Sequence, residues 1–163
     1  MSAEELSADF KQAMRRLAAS VHIVATRSEG RRFGMTATAV TSLSMAPPSV
    51  LVCVNQRAAT HPALARHGQI FSVNLLAPGH QDVANRFGTP AEDGDARFNV
   101  GGWDETEEGV PILAGAASSL LCAVEGLYPH ATHTIVVGRV LRVALGEARC
   151  ALLYGDGRYS GLS

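Results

Sequence analysis

The sequence has few of the residues and patterns that mark several protein classes. Its three cysteines lack C-x-x-C spacing, which indicates neither a disulfide framework nor a zinc knuckle. The 14 Lys and Arg nearly balance the 15 Asp and Glu, so no basic surface for nucleic acid is predicted. No apolar run approaches the ~20 residues that span a bilayer, and the N-terminal MSAEELSADFKQ is unlike a signal peptide. We expect a single cytoplasmic domain over residues 1–163.

Motifs of nucleotide, hydrolase and metal chemistry are also missing. No G-x-G-x-x-G follows the first predicted strand, and neither Walker A nor G-x-S-x-G is present. His130 and His133 lie three residues apart, a spacing that would point their rings to opposite faces of one strand. No third metal ligand is close in sequence, so no metal site is predicted.

Local patterns predict many strands and few helices. Ser2 and Glu5 have capping-box spacing, and apolar residues then recur at helical spacing up to Leu17. Further helices are predicted over residues 61–68 and 79–88, and residues 89–109 are predicted to form a long polar surface excursion. Strands are predicted at residues 21–26, 33–45, 49–55, 70–76, 118–128, 132–145 and 150–159, with turns near Gly30, Gly126–Pro129 and Gly146–Glu147.

The order of these elements indicates the fold class. Six or seven strands follow one another mostly at hairpin spacing, with about three peripheral helices between them. Strands that succeed each other without intervening helices favour an antiparallel sheet closed into a barrel over a parallel doubly wound sheet. We therefore predict a mainly β protein, an antiparallel barrel of the Greek-key type.

Small and hydroxyl side chains fill a stretch where a strand would normally have large side chains. Thr36–Ser44 holds five hydroxyl residues among nine, with Ala37 and Ala39 between them. One interpretation is a helix that packs closely over the strand. The other is a shallow seat for a flat ring with an anionic tail, because hydroxyls and the N–H groups of a bent segment bind anions. Side chains alternate along a strand, so part of this stretch must be irregular if all of it serves one ligand.

Five segments carry a family resemblance, in this order: FKQAMRRLAASVHIVAT, GMTATAVTSLSMAPPSVLVCVN, FSVNLLAPGHQDVANRFG, ATHTIVVGRV and LLYGDGRY. Together they resemble the short-chain flavin reductases, which have an FMN-binding split barrel and act as the reductase partners of two-component monooxygenases. The reductases of 4-hydroxyphenylacetate and pyrimidine monooxygenases are the most similar members. The resemblance covers nearly the whole chain.

The resemblance implies a set of site residues. The flavin ring and ribityl chain would be surrounded by Met35, Thr36, Ala37, Thr38, Ala39, Thr41, Ser42, Leu43, Ser44, Cys53, Val54 and Asn55. Ala59 and Thr60 would reach the phosphate end, while the ring would also meet Asn74, Leu75, Leu76 and the helix residues Gln81, Ala84 and Phe87. His133 and Tyr159 match positions that the family uses around the nicotinamide nucleotide. This chain has Ala131-Thr132-His133 where the family often carries glycine before the histidine motif.

The resemblance also implies an activity. NADH or NADPH would reduce FMN or FAD, and the reduced flavin would pass to a partner monooxygenase. The protein would be a homodimer with the flavin site at the subunit interface. Hydride transfer is cofactor chemistry, so no dedicated catalytic residue is predicted. Two alternatives stay open: a flavin-binding or electron-relay protein without efficient NADH oxidation, and a flavoenzyme that reduces another acceptor such as a ferric or corrinoid complex.

Overall fold

A computed structural model describes residues 1–90 and 94–161. Within these residues, three α-helices and a short 3-10 helix (Asp95–Asn99) accompany the strands. The helices are α1 (Ala3–Arg15), α2 (Thr60–Leu64) and α3 (Gln81–Gly88). The strands are β1 (Ala19–Ser20), β2 (His22–Ser28), β3 (Arg31–Ala37), β4 (Val40–Met45), β5 (Pro48–Asn55), β6 (Ile70–Leu75), β7 (Trp103–Glu105), β8 (Pro111–Leu113), β9 (Ser118–His130), β10 (His133–Leu145), β11 (Leu152–Gly155) and β12 (Arg158–Gly161).

The main sheet is antiparallel and must be rolled. Its seven strands run in the order β3-β2-β6-β9-β10-β5-β4, so β3 and β4 form opposite edges. Only Thr38 and Ala39 join these two edge strands, a link that spans at most about 10 Å. In a flat sheet, six interstrand steps would separate the edges by roughly 29 Å. The sheet therefore curves until its edges meet at this link, although β3 and β4 are not hydrogen-bonded to each other.

The core lies on both faces of this rolled sheet. Along β2, Val24 packs with Val52, Phe71 and Val136 in one cluster. Ile23 belongs to a second cluster, which includes Leu76, Val83, Ala84, Phe87 and Leu152. Neighbouring residues of a strand point to opposite faces, so β2 is covered on both sides. One cluster fills the inside of the roll, and the other lies under α3 and the C-terminal strands.

These observations confirm the predicted mainly β, antiparallel fold. The Ser2–Glu5 capping box is present and opens α1. Gly30 lies in the β2–β3 turn with φ of 75°. The small-residue stretch is divided, because β3 pairs with β2 whereas β4 pairs with β5. The structure has more strands than predicted, and α2 is shorter, since the chain leaves the helical region at Ala65. No described helix is long and apolar enough to cross a membrane.

The predicted turn at Gly126–Pro129 is wrong. β9 continues to His130, and the chain reverses at Ala131 and Thr132. Gly126 instead adjoins a register shift between β9 and β10, where an added Cβ would lie 2.9 Å from the Tyr128 ring. Glycine in a strand marks such irregularities as readily as it marks turns. His130 and His133 are consequently cross-strand partners and do not share one strand.

The predicted excursion over residues 89–109 is also less superficial than expected; its residues 91–93 lie outside the described part. Phe98 is buried, and Trp103 donates its indole N–H to the Val100 carbonyl at 2.8 Å. The Phe87, Phe98 and Trp103 rings pack together at centroid distances of 4.9 to 5.2 Å. Two large aromatic side chains in a polar segment thus anchor it to α3.

Candidate active site

The irregularity expected in the small-residue stretch lies at its middle. β3 ends at Ala37, Thr38 and Ala39 form the link, and the Val40 N–H donates to the Thr38 carbonyl at 3.0 Å. A register shift between β4 and β5 follows between Ser42 and Ser44. The segment therefore presents its hydroxyls in several directions, and three cavities open along it.

The first cavity, here called the tyrosine cavity, has a volume of about 370 Å³. Its lining comprises Val21, Thr36, Thr38, Ala84, Asn85, Gly88, Thr89, Tyr154, Gly157 and Tyr159. The Tyr154 and Tyr159 rings lie 5.1 Å apart at 58°. Small side chains of β3 and α3 thus face an aromatic pair across a space within the usual range of ligand sites.

The second cavity, called the arginine cavity, measures about 490 Å³. Its lining comprises Met35, Thr36, Asn55, Arg57, Ala58, Ala59, Phe87, Gly88, Pro90 and Arg97. Arg97 donates to the backbone carbonyls of Gly34 and Thr89, each at 2.9 Å. Burial, and secondarily the positive charge of Arg86, lower the pKa of Arg97. An anion in this cavity would relieve that unfavourable environment.

The third cavity, called the histidine cavity, measures about 360 Å³. Its lining comprises Ser20, His22, Val40, Thr41, Ser42, Val50, Val73, Leu75, Ser118 and Leu120. Burial lowers the pKa of His22, and the nearby backbone of Ala37 and Ser20 offsets only part of this effect. Among the described residues, the Nδ1 atom of the buried His22 has no partner in hydrogen-bond geometry.

The predicted flavin residues divide among these cavities and the core. Each of the following lines one of the three cavities: Met35, Thr36, Thr38, Thr41, Ser42, Asn55, Ala59, Leu75, Ala84 and Phe87. A second group lines none of them but is not deeply buried: Ala39, Leu43, Ser44, Cys53 and Gln81. A third group has buried side chains: Ala37, Val54, Thr60, Asn74 and Leu76. Their assigned roles stay predictions.

Asn74 has an evident packing role. Its Oδ1 accepts from the Leu113 backbone at 3.0 Å and from the Ser119 hydroxyl at 2.9 Å. Its Nδ2 donates to the Ile23 carbonyl at 3.1 Å and to Ser72 Oγ at 3.0 Å. With both ends of the amide bonded, Asn74 joins β2, β6, β8 and β9 and can meet a ligand only through its backbone.

The predicted nicotinamide residues lie apart in a single chain. Tyr159 lines the tyrosine cavity, whereas His133 is exposed beside the β9–β10 turn and is the cross-strand partner of Asn55. Thr132 Oγ1 lies 2.8 Å from His133 Nδ1, and Gln56 donates to the His133 carbonyl at 3.1 Å. None of the three cavities is lined by both His133 and Tyr159, so their joint role stays a prediction.

The described residues fit a flavin. The tyrosine and arginine cavities share Thr36 and Gly88, so they adjoin. A Cβ added at Gly88 would lie 3.7 Å from Thr36 Oγ1 and would narrow the passage between them. A flat ring fits between small side chains and an aromatic pair, and guanidinium groups suit a phosphate tail. The site needs no metal ligands, and among the described residues no cluster of His, Cys, Asp and Glu could hold a metal.

Several cavity residues were not predicted from the sequence. Asn85, Thr89 and Tyr154 join the tyrosine cavity, and Arg57 and Arg97 join the arginine cavity. A signal existed for two of them. Arg57 follows the strand end at Asn55, and Asn85 stands between the predicted Ala84 and Phe87 on the same helix. Arg97 carried no comparable signal, because its approach depends on the packing of the excursion.

Comparison with known proteins identifies the family. Residues 14–163 match the flavin reductase like domain, and the chain therefore belongs to that family. The chain is 40% identical over 158 residues to FMN reductase (NADH) RutF 1 of Methylorubrum extorquens, covering 96% of this chain and 77% of that protein. The family predicted from the five sequence segments is confirmed.

Two solved structures extend the comparison. The NADH:FAD oxidoreductase SgcE6 of Streptomyces globisporus, solved with NAD and FAD fragments, has a TM-score of 0.89 and 30% identity, covering 100% of this chain and 96% of that one. BorF, the flavin reductase component of a bacterial two-component tryptophan halogenase, has a TM-score of 0.87 and 33% identity, covering 96% of this chain and 98% of that one.

Proposed function

We propose that this chain, as a single domain over residues 1–163, is an NAD(P)H:flavin oxidoreductase that supplies reduced flavin to a partner oxygenase. In the overall reaction NADH, a proton and FMN or FAD yield NAD⁺ and the two-electron-reduced flavin. One observation carries the proposal. The tyrosine cavity sets three predicted flavin residues (Thr36, Thr38 and Ala84) together with the predicted nicotinamide residue Tyr159.

The residues would act by positioning. When bound, the flavin supplies the ring that accepts the hydride from the nicotinamide. Small side chains on β3 and α3 leave space for the ring, and the tyrosine pair limits how far a second ring can move from it. Holding two rings in contact makes their reaction nearly unimolecular, an effect worth up to ~7–11 kcal/mol. Arg57 and Arg97 would hold the phosphate end in the adjoining cavity.

The names of the relatives support the choice of ligands. The Methylorubrum relative is named for FMN and NADH, whereas SgcE6 is named for FAD and NADH. NADH is therefore the proposed donor, and FMN or FAD the proposed acceptor. The halogenase partner of BorF supports a flavin-dependent oxygenase or halogenase as the consumer of the reduced flavin. The cytoplasm stays the predicted location.

A homodimer is proposed on the distribution of apolar side chains. Leu6, Phe10 and Met14 of α1, with Leu17 just beyond its end, form an apolar stripe that is 46–64% exposed, and no residue of this helix is buried. Such a stripe on an amphipathic helix indicates an interface. Light scattering on the purified protein tests the proposal: we expect twice the chain mass for the native protein and a monomer for Phe10→Glu. A monomeric native protein would contradict it.

The proposed activity has a direct test. Purified protein is mixed with NADH and excess FMN or FAD, and absorbance at 340 nm is followed. We expect rapid loss of NADH that requires both protein and flavin. Flavin binding without NADH oxidation would favour the electron-relay alternative. Oxidation that depends on a ferric or corrinoid acceptor would favour the other flavoenzyme.

A further inference from the structure

A side-chain hydrogen bond joins two residues that line the tyrosine cavity. The Tyr159 hydroxyl donates to Oδ1 of Asn85 at 3.0 Å. Asn85 lies on α3, and Tyr159 lies on β12, which pairs only with β11 among the described strands. No role for Asn85 was predicted from the sequence. The hydrogen bond therefore joins α3, which packs on the core, to the last described strand of the chain.

The two sides of this bond differ in how firmly they are held. On the α3 side, Val83, Ala84 and Phe87 are buried, and the Thr36 hydroxyl donates to the Ala84 carbonyl at 2.7 Å. On the β12 side, the Tyr159 ring packs against the cluster that contains the α3 residues but is only half-buried, and its neighbour Tyr154 is 39% exposed. The helix therefore offers a fixed acceptor, and the hydrogen bond selects one orientation for a ring that packing leaves partly free.

The donor direction gives the cavity a particular chemistry. Because the Tyr159 proton is directed at Asn85, the phenol oxygen keeps its lone pairs for a ligand that donates. The amide nitrogen of Asn85 keeps donors of its own. Burial, and secondarily Tyr154, raise the pKa of Tyr159, which keeps the hydroxyl protonated at neutral pH. Asparagine is uncharged, so it accepts this proton without repelling a ligand that carries phosphates.

We propose that Asn85 is a positioning residue that orients Tyr159 and thereby sets the affinity for the nicotinamide nucleotide. The oriented phenol oxygen would accept a hydrogen bond from the carboxamide N–H of the nicotinamide. The inference rests on the proposed reductase function. It assigns Asn85 no part in the hydride transfer itself. Loss of the hydrogen bond should therefore weaken nucleotide binding and leave the maximal rate and flavin binding largely unchanged.

Steady-state kinetics of four variants test the proposal: Asn85→Ala, Tyr159→Phe, their double mutant, and Asn99→Ala as an exposed control outside the three cavities. We expect each of the first two to raise the KM for NADH about fivefold, with kcat and the KM for FMN within about twofold. The KM for NADH of the double mutant should be no higher than that of either single mutant, because both substitutions remove the same interaction. Asn99→Ala should match the native protein.

Asn85→Asp provides the rescue, since its carboxylate still accepts the Tyr159 proton. Assayed in about 0.3 M salt to screen the added charge, it should return the KM for NADH to within about twofold of the native value. An unchanged KM in Asn85→Ala, additive effects in the double mutant, or an equal loss of FMN affinity would each overturn the proposal. If Asn85→Ala does not fold, Tyr159→Phe and Asn85→Asp give the same comparison.

Calorimetric titration with NAD⁺ separates this inference from the proposed function. A native protein that binds NAD⁺ but does not oxidise NADH would refute the reductase activity. In that case the Asn85 variants still test the hydrogen bond through the Kd for NAD⁺. A native protein that turns over, with Asn85→Ala matching it in KM and Kd, would refute the role of Asn85 alone.

Discussion

The small-residue segment Thr36–Ser44 is divided between β3 and β4, and these two strands have different surroundings. In β3, Gly34 lies under Phe87 and Phe98, and the Thr36 hydroxyl is bonded to the Ala84 carbonyl of α3. In β4, by contrast, Thr41, Ser42 and Leu43 are exposed at an edge of the main sheet. The short side chains in β3 are thus required because α3 packs close above them. Among the described contacts, no helix packs on the short side chains of β4 in the same way.

This difference supports close packing for the residues on β3 and leaves the predicted ligand seat open for those on β4. Close packing of α3 accounts for Gly34 and Thr36, and the open hydroxyls of β4 are available to a ligand or a second subunit. Thr38 and Ala39, which join the halves, lie where the chain crosses between the edges of the rolled sheet. The Thr36 hydroxyl is therefore held by the fold although Thr36 lines two cavities, whereas the hydroxyls of Thr41 and Ser42 are free to meet a ligand or a second subunit.

Gly34→Ala is the strongest test of the packing assigned to β3. An added Cβ would lie 2.6 Å from Cε1 of Phe87 and 3.2 Å from the Phe98 ring. Because the Phe87 ring already packs on Phe98 and Trp103, it cannot move away freely. We expect the free energy of unfolding to fall by about 2 kcal/mol, the usual cost of overpacking, as measured by urea denaturation.

Gly79→Ala is the matched control for that substitution. Nothing lies within 4 Å of a Cβ built at Gly79, so this variant should stay within about 0.5 kcal/mol of the native protein. Equal stabilities for Gly34→Ala and Gly79→Ala would show that α3 does not pack on β3 as described.

Removing two hydroxyls from β4 tests the other half of the comparison. Thr41 and Ser42 are exposed and line the histidine cavity. If they donate to flavin, the double substitution Thr41→Val with Ser42→Ala should weaken FMN binding about tenfold, because each neutral hydrogen bond contributes roughly 0.5–1.5 kcal/mol. Fluorescence titration measures the change. Unchanged FMN affinity would show that these hydroxyls do not bind flavin, and the subunit interface would then be their expected role.

The sequence predicted the family and most strands because those depend on local patterns. Alternation and turn residues located β2, β5 and β6, and ordered motifs indicated the flavin site. Long-range packing was less visible. The polar segment 89–109 resembles a surface loop in sequence, and only the packing of Phe98 and Trp103 on Phe87 shows that it is anchored to α3. Gly126 resembles a turn residue in sequence, and only its pairing with β10 shows that it lies within a strand. The packing role of Asn74 is likewise seen only from its four hydrogen bonds.

Thr36→Val distinguishes a structural hydroxyl from a ligand-binding one. The variant keeps the branched shape but removes the donor to the Ala84 carbonyl. We expect a loss of about 1 kcal/mol in the free energy of unfolding, with FMN affinity within about twofold. Thr38→Val is the control, since Thr38 is exposed on the same cavity; it should retain stability and lose affinity. The reverse pattern would assign Thr36 to the ligand.

Ala131→Gly has the smallest expected effect. At Gly34 a glycine is needed because a Cβ has no room, whereas at Ala131 an alanine occupies a backbone conformation that favours glycine. Ala131 adopts φ of 47° in the β9–β10 turn, a region that favours glycine, and the family often has glycine there. The alanine Cβ is disfavoured in this conformation, but glycine costs more chain entropy on folding, so the expected net gain is only about 0.5 kcal/mol. Urea denaturation measures it. A loss of stability would mean that the turn needs the side chain of Ala131. A rise in stability together with a lower KM for NADH would show that the strained turn at Ala131 limits how firmly His133 is held. The departure from the family pattern would then be connected to nucleotide binding.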